Sequence, residues 1–308
     1  MKNLMMEPVN FEAYLEDISF EECQVIRSAD SFIDGVCELA QHGERLFGAR
    51  LPWSMTHEAT RVGDGKLSIW AGENGSGKSL ILGQVLNGLM EQGRKAVIAS
   101  LEMHPKQTLY RMICQAATCK AAKGYCEKWL EAYTGKLWIY DQLDTVSIER
   151  ILGMAHYSAH ELGAKDIVID SLTKCGLSRD DYTAQAKFVD RLQWCAKKWN
   201  IHIHLVCHMR KGNGERGSGK NDIRGAAEIT DLADNVYILK RNKIKEHEAQ
   251  KRDKGQKFEE KYLDQPDAIL SQQKNRDYGF EFDFGLHFDI KSGLYKSSQA
   301  EYIKPVEV

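Results

Sequence analysis

From Lys66 onward the chain alternates short apolar runs with longer stretches whose apolar residues recur every three or four positions. Lys66-Leu-Ser-Ile-Trp-Ala71 reads as a buried strand, and the segment after it carries Leu80, Ile81, Val85, Leu86 and Leu89 on one helical face. Residues 96–101 form a second apolar run, and a helix is predicted after Pro105, whose fixed φ suits a first turn. The same reading gives strands over 137–140, 166–170, 201–207 and 236–239, with helices over 147–162 and 182–199 between them. In the last helix Val189, Leu192 and Ala196 point inward. Such alternation predicts an α/β fold with a mainly parallel central sheet flanked by helices. Residues 269–274, 280–290 and 294–296 read as short C-terminal strands, and with no helix between them they are expected to be antiparallel.

The flanks behave differently. Residues 1–48 hold ten acids against three bases, a net of −7. A helix is predicted near 29–42 with Ser28 as its N-cap, but Phe32, Val36 and Leu39 give it too narrow a stripe to fold alone. It is expected to dock on something. Residues 243–266 read as a charged, weakly patterned insertion, and 212–219 as the most flexible stretch. The chain's net charge of −2 excludes a uniformly basic nucleic-acid binder, yet 209–224 carries five bases against two acids and 240–261 nine against five. No apolar run approaches the ~18 residues of a membrane span. Met1–Asn10 lacks the basic-then-apolar layout of a signal peptide. Eight cysteines with no C-x2-C pair fit a reducing cytosol and core packing, not zinc or disulfides.

The strongest chemical signal is Gly72-Glu73-Asn74-Gly75-Ser76-Gly77-Lys78-Ser79, which meets every fixed position of G-x4-G-K-[ST] between a strand and a helix. Glycines let the backbone fold round an anion, so successive N–H groups and the helix N-terminus point at phosphates. Lys78 is expected to reach the β- and γ-phosphates, and the Ser79 hydroxyl to ligate Mg²⁺. The pattern predicts a site for ATP or another nucleoside or deoxynucleoside triphosphate.

Further candidates sit at strand ends, where a parallel sheet gathers its chemistry. Asp170 closes one strand, the layout of a carboxylate that holds Mg²⁺ through water. Glu102 follows another; it reads either as a general base for the attacking water or as an acidic neighbour of the helix start at Pro105. His208 reads either as a donor to the γ-phosphate or as a satisfied core imidazole. Lys274 and Arg276 are either solvated or a source of guanidinium charge for a phosphate in a neighbouring subunit. Arg210, Lys211, Arg216, Lys220 and Arg224 lie in a glycine-rich segment with few aromatics, which suits contact to a phosphate backbone; a merely solvated loop is the competing reading.

The order of these motifs resembles the RecA-like P-loop NTPase domain of hexameric replicative helicases, of the bacterial DnaB, Twinkle and phage primase–helicase type. The correspondence runs over about residues 45–298. Ser100-Leu-Glu-Met103 is similar to the family motif whose glutamate is the catalytic base, which gives Glu102 that role. Val206-Cys-His-Met209 is similar to the motif with the γ-phosphate-sensing histidine, which gives His208 its role. Asp222-Ile-Arg-Gly-Ala-Ala227, running on to Leu239-Lys-Arg-Asn242, resembles the fourth motif, preceded in that family by the loop that holds single-stranded DNA. Lys274-Asn-Arg276 resembles the K-x-R finger that reaches the adjacent subunit's nucleotide, and Arg241 and Phe288 would sandwich the base.

The resemblance implies two parts: an acidic arm with a linker helix at 1–48 that docks on a neighbour, and a helicase ATPase domain at 49–308. It implies a homo-oligomeric ring, hexameric by analogy, that moves 5′→3′ on single-stranded or forked DNA, with ATP and Mg²⁺ as cofactors. A separate primase or loader would be its partner. The lone-ATPase build suits a phage or plasmid replication system in a bacterial cytoplasm. Two other classes stay open: a RecA-type recombinase or mediator that forms filaments, and a non-translocating ATPase that loads a helicase.

Overall fold

The computed structural model describes Asn10 and residues 28–42, 48–178, 180–209, 220–223 and 226–308. Its strands are β1 (Lys66–Gly72), β2 (Ala96–Ser100), β3 (Leu137–Tyr140), β4 (Asp166–Asp170), β5 (His202–His208), β6 (Asn235–Arg241), β7 (Ala268–Asn275), β8 (Phe282–Asp289) and β9 (Leu294–Lys296). They form one sheet in the order β3-β2-β4-β5-β1-β6-β7-β8-β9. The first six run parallel, and β7, β8 and β9 are added antiparallel, as the sequence predicts. Helices cover both faces. Leu67 and Ile69 of β1, with Ile167, Ile169, Ile203 and Leu205, pack against helices Ile148–His160 and Tyr182–Trp199. Trp70, Val168 and Val206 face the opposite way, against helices Lys78–Glu91 and Pro105–Ala117. Burial on both faces is why these strands read as near-continuous apolar runs.

Polar residues at the strand starts are paired inside the sheet. Asp166, fully buried, accepts from Arg94 Nε at 2.6 Å and lies 3.2 Å from His204 Nε2. Arg94 also donates to Asp64 at 2.7 Å. A buried carboxylate persists only with partners of this kind.

Three elements differ from expectation. Helix Lys123–Ala132 buries only Trp129, so its periodicity is too thin to read. Residues 243–266 hold a helix, Lys243–Asp253, which starts at an Asn242 cap whose side chain accepts from Lys245 N at 3.0 Å. It is held by polar pairs such as Lys251 with Glu248, at 2.7 Å, and not by an apolar face. The arm helix begins as a 3-10 turn, Ala29–Phe32, and continues as Ile33–His42. Ser28 stands at the N-cap position, but its carbonyl accepts from Ser31 Oγ and its side chain caps nothing. The stripe of Phe32, Ile33, Val36 and Leu39 is exposed. Among the described residues no helix is long and apolar enough to cross a membrane, and the seven described cysteines are free thiols.

Candidate functional site

At the C-terminal ends of the parallel strands lies a cleft of ≈ 1220 Å³, and the P-loop forms its floor. Gly75 and Gly77 take positive φ (76° and 96°), which a side chain would disfavour. A Cβ on Gly72 would meet Leu239 O at 2.7 Å, so the strand-to-loop turn is closed to any larger residue. Lys78, buried, donates to its own loop at Gly72 O and Glu73 O, both at 3.0 Å. Burial pulls its pKa down, against the opposing charges of Asp170 and Glu102.

Ser79 Oγ donates to Asp170 Oδ2 at 2.5 Å. Burial pushes the Asp170 carboxyl up, and the Ser79 hydrogen bond holds it down. These two hard oxygens converge at the base of the cleft beside Lys78. Mg²⁺ characteristically takes only one or two protein oxygens and fills its octahedron with water and phosphate, so the donor set fits that ion. It would supply positive charge to the phosphate oxygens.

Glu102 and His208 stand on the wall above. Ser171, fully buried, donates its hydroxyl to Glu102 Oε1 at 2.6 Å, and His208 Nε2 lies 3.3 Å from the same oxygen and 3.2 Å from Ser171 Oγ. The His208 contact, and after it the Ser171 hydrogen bond, hold the Glu102 carboxyl far below its usual 4.5, at about 2, against the opposing effect of burial. The two predicted strand-end residues therefore meet one another directly.

Arg241 and Phe288 line the same cleft at its far end. Arg241 Nη1 donates to Gly75 O at 3.1 Å and Nε to Glu246 at 2.7 Å. Phe288 is partly exposed and packs on Tyr295, ring centres 5.0 Å apart. Glu73 pairs with Lys243. The structure thus brings all eight P-loop residues, Glu102, Asp170, His208, Arg241 and Phe288 to one place.

It places Lys274 and Arg276 elsewhere. Asn275 pairs with Asn235 on β6, which pairs with Ser68 near the start of β1, so both basic residues stand at the end of the sheet opposite the P-loop. Lys274 Nζ donates to the carbonyls of Thr230 and Asp231, at 2.9 and 2.8 Å. Burial, and then Arg276 nearby, lower its pKa. Arg276 donates to Asp231 O at 2.7 Å and to the buried Asp234 carboxylate at 3.2 Å, while its side chain keeps 41% exposure. Neither can reach the nucleotide of its own chain.

Of the basic segment, Arg210, Lys211, Arg216 and Arg224 lie outside the described residues, as does the 212–219 stretch. Lys220 opens a short 3-10 turn and sits 3.7 Å from Glu281. A bridge between Met209 and Ile223 closes the base of this segment directly after His208.

Sequence reading missed Gln84 and Tyr295. Tyr295 OH reaches Ser76 O at 3.4 Å, and a Cβ on Gly77 would collide with the same hydroxyl. Gln84, like Asn87 a polar residue buried in an otherwise apolar helix, was the available signal for a long-range partner.

The chain matches the family model for the DnaB-like helicase C terminal domain over residues 58–288. Among solved structures it resembles an ATPase domain at 15% identity and TM-score 0.71, covering 88% of this chain and 99% of that one. It also resembles a DnaB-like replicative helicase whose structure describes interactions with primase, at 15% identity and TM-score 0.67, covering 89% of this chain and 67% of that one. The structural likenesses show the fold, a RecA-like sheet with antiparallel strands appended. With three-quarters of its length inside the family model, the chain belongs to the DnaB-like helicase C-terminal domain family.

Proposed function

We propose that this NTP-hydrolysing helicase works as a homo-oligomeric ring, six subunits by analogy, that moves 5′→3′ along single-stranded DNA and parts the duplex ahead of it. One observation carries the reading. The cradle lies at one end of the sheet and the Lys274–Arg276 pair at the other, so a shared site requires head-to-tail contact, which closes into a ring when the rotation between subunits closes and otherwise runs on as a filament. ATP and Mg²⁺ are the cofactors in this reading. Lys78 and the loop amides bind phosphate, Ser79 and Asp170 face the metal, and Arg241 and Phe288 flank the base. Glu102 orients the attacking water, and His208 answers to the γ-phosphate. Lys274 and Arg276 belong to the next subunit's site. The 210–224 segment, hung directly on His208, contacts the DNA backbone through Arg210, Lys211, Arg216, Lys220 and Arg224. The exposed stripe of the arm helix docks on an adjoining subunit, and a separate primase or loader serves as partner. Residues 1–48 then act as the docking arm and 49–308 as the motor, in a bacterial cytoplasm.

The deciding experiment is unwinding of a forked duplex with ATP and Mg²⁺, with Lys78→Ala as the inactive control. The expected result is strand separation that needs a 5′ tail and hydrolysis that rises sharply with single-stranded DNA. DNA-stimulated hydrolysis with no unwinding by assembled rings would move the reading to a strand-pairing or loading ATPase.

A further inference from the structure

We infer that Ser171 is a positioning residue for hydrolysis: its hydroxyl fixes the Glu102 carboxylate and ties it to His208, so that the three side chains act as one unit. Ser171 is wholly buried, and its Oγ is the hub of the cluster, 2.6 Å from Glu102 Oε1, 3.2 Å from His208 Nε2 and 2.7 Å from Thr173 Oγ1. A hydroxyl has one proton to give and can accept two. An ionised carboxylate can only accept, so the Ser171 proton goes to Glu102. Thr173 and His208 then donate to Ser171, and His208 Nε2 carries a hydrogen that is shared with Glu102 Oε1, 3.3 Å away.

Two consequences follow from that directionality. Both contacts fall on Oε1, which leaves Oε2 as the Glu102 oxygen available to a water. The Nε2–H of His208 is also the hydrogen that a terminal phosphate would draw. When it turns to phosphate, Glu102 loses one of its two donors and gains proton affinity while Ser171 still sets its direction. Proton affinity then rises only where there is a phosphate to attack, which is what a general base needs.

The inference rests on the reading of Glu102 as the base, and the test separates the two. Steady-state hydrolysis is measured on the full chain with ATP, Mg²⁺ and single-stranded DNA for Ser171→Ala, Ser171→Thr, Glu102→Gln and the double variant S171A/E102Q. Expected for Ser171→Ala is a fall in kcat of about tenfold with KM within twofold. Ser171→Thr restores most of the rate, and Ser171→Ala adds nothing to Glu102→Gln, since residues acting as a unit are not additive. Should alanine at 171 unfold the chain, Ser171→Cys keeps the volume with a weak donor and carries the same expectation. Unchanged kcat, a KM that moves together with kcat, or full additivity with Glu102→Gln each overturns the role of Ser171. If Glu102→Gln itself turns over normally, it is the base assignment that fails.

Discussion

Gln84 and Tyr295, 211 residues apart, are joined by a pair of hydrogen bonds that mimics a strand register: Gln84 Nε2 donates to Tyr295 O and Tyr295 N donates to Gln84 Oε1, both at 2.8 Å. Gln84 lies on the helix that begins at Lys78, so the last strand of the sheet is fastened to the element that carries the phosphate loop. Trp53 Nε1 donates to the same Tyr295 carbonyl, also at 2.8 Å. Gln84→Leu keeps the volume and strands the Tyr295 amide in the core. The expected loss is about 2 kcal/mol of unfolding free energy, read from urea midpoints, with weaker nucleotide binding because the loop has lost its backstop.

Lys78 should be costly to stability and indispensable to binding. Its ammonium is buried against neutral carbonyls, and burial lowers its pKa, so the charged form is disfavoured by folding. Lys78→Met is therefore expected to unfold at an equal or higher urea concentration than the parent. Its affinity for ATP should fall at least tenfold, about 1.4 kcal/mol, by titration with a fluorescent nucleotide.

Glu102 supplies a pH signature. Its carboxyl is held at about 2 instead of 4.5 by His208 and Ser171. A depressed carboxyl contributes stability that is fully present above the unfolded value and is lost as pH falls through the folded one. The stability gap between the parent and Glu102→Gln is expected to be flat above pH 4.5 and to close between 4.5 and 2. In urea titrations, a gap that narrows already between pH 8 and 6 would contradict it. Glu102→Gln should also lower kcat by about 10²- to 10³-fold.

Arg276 gives the sharpest test of a shared site. Gly72 ends β1 four residues past Ser68, about 13 Å of strand away from the end where Arg276 stands. Arg276→Ala and Lys78→Ala should each abolish DNA-stimulated hydrolysis. Mixed in equal amounts, they should recover about a quarter of the parental rate, since one interface in four pairs an intact cradle with an intact arginine. No recovery on mixing, with rings assembled, would mean that the arginine serves no neighbour.

The sheet and the phosphate loop were legible because they depend on local pattern. β1, β4 and β9 and the helix Tyr182–Trp199 follow apolar periodicity alone, and the glycine spacing dictates the loop. Helix Lys123–Ala132 was hidden because one tryptophan carries its burial, and Lys243–Asp253 because polar pairs and an asparagine cap hold it. Asn242 was a visible capping residue with no apolar stripe to give it meaning. The positions of Lys274 and Arg276 depend on which strands pair across the sheet, and no local pattern encodes that. Their basic character left two readings open and family likeness chose the in-trans one, and the β6–β7 register shows why that role cannot be exercised on their own nucleotide.

The cradle is already spoken for. Lys78 binds its own loop carbonyls and Ser79 binds Asp170, so an arriving nucleotide must trade bond for bond and does not simply collect new ones. Such an exchange yields a modest net affinity from a strongly polar pocket.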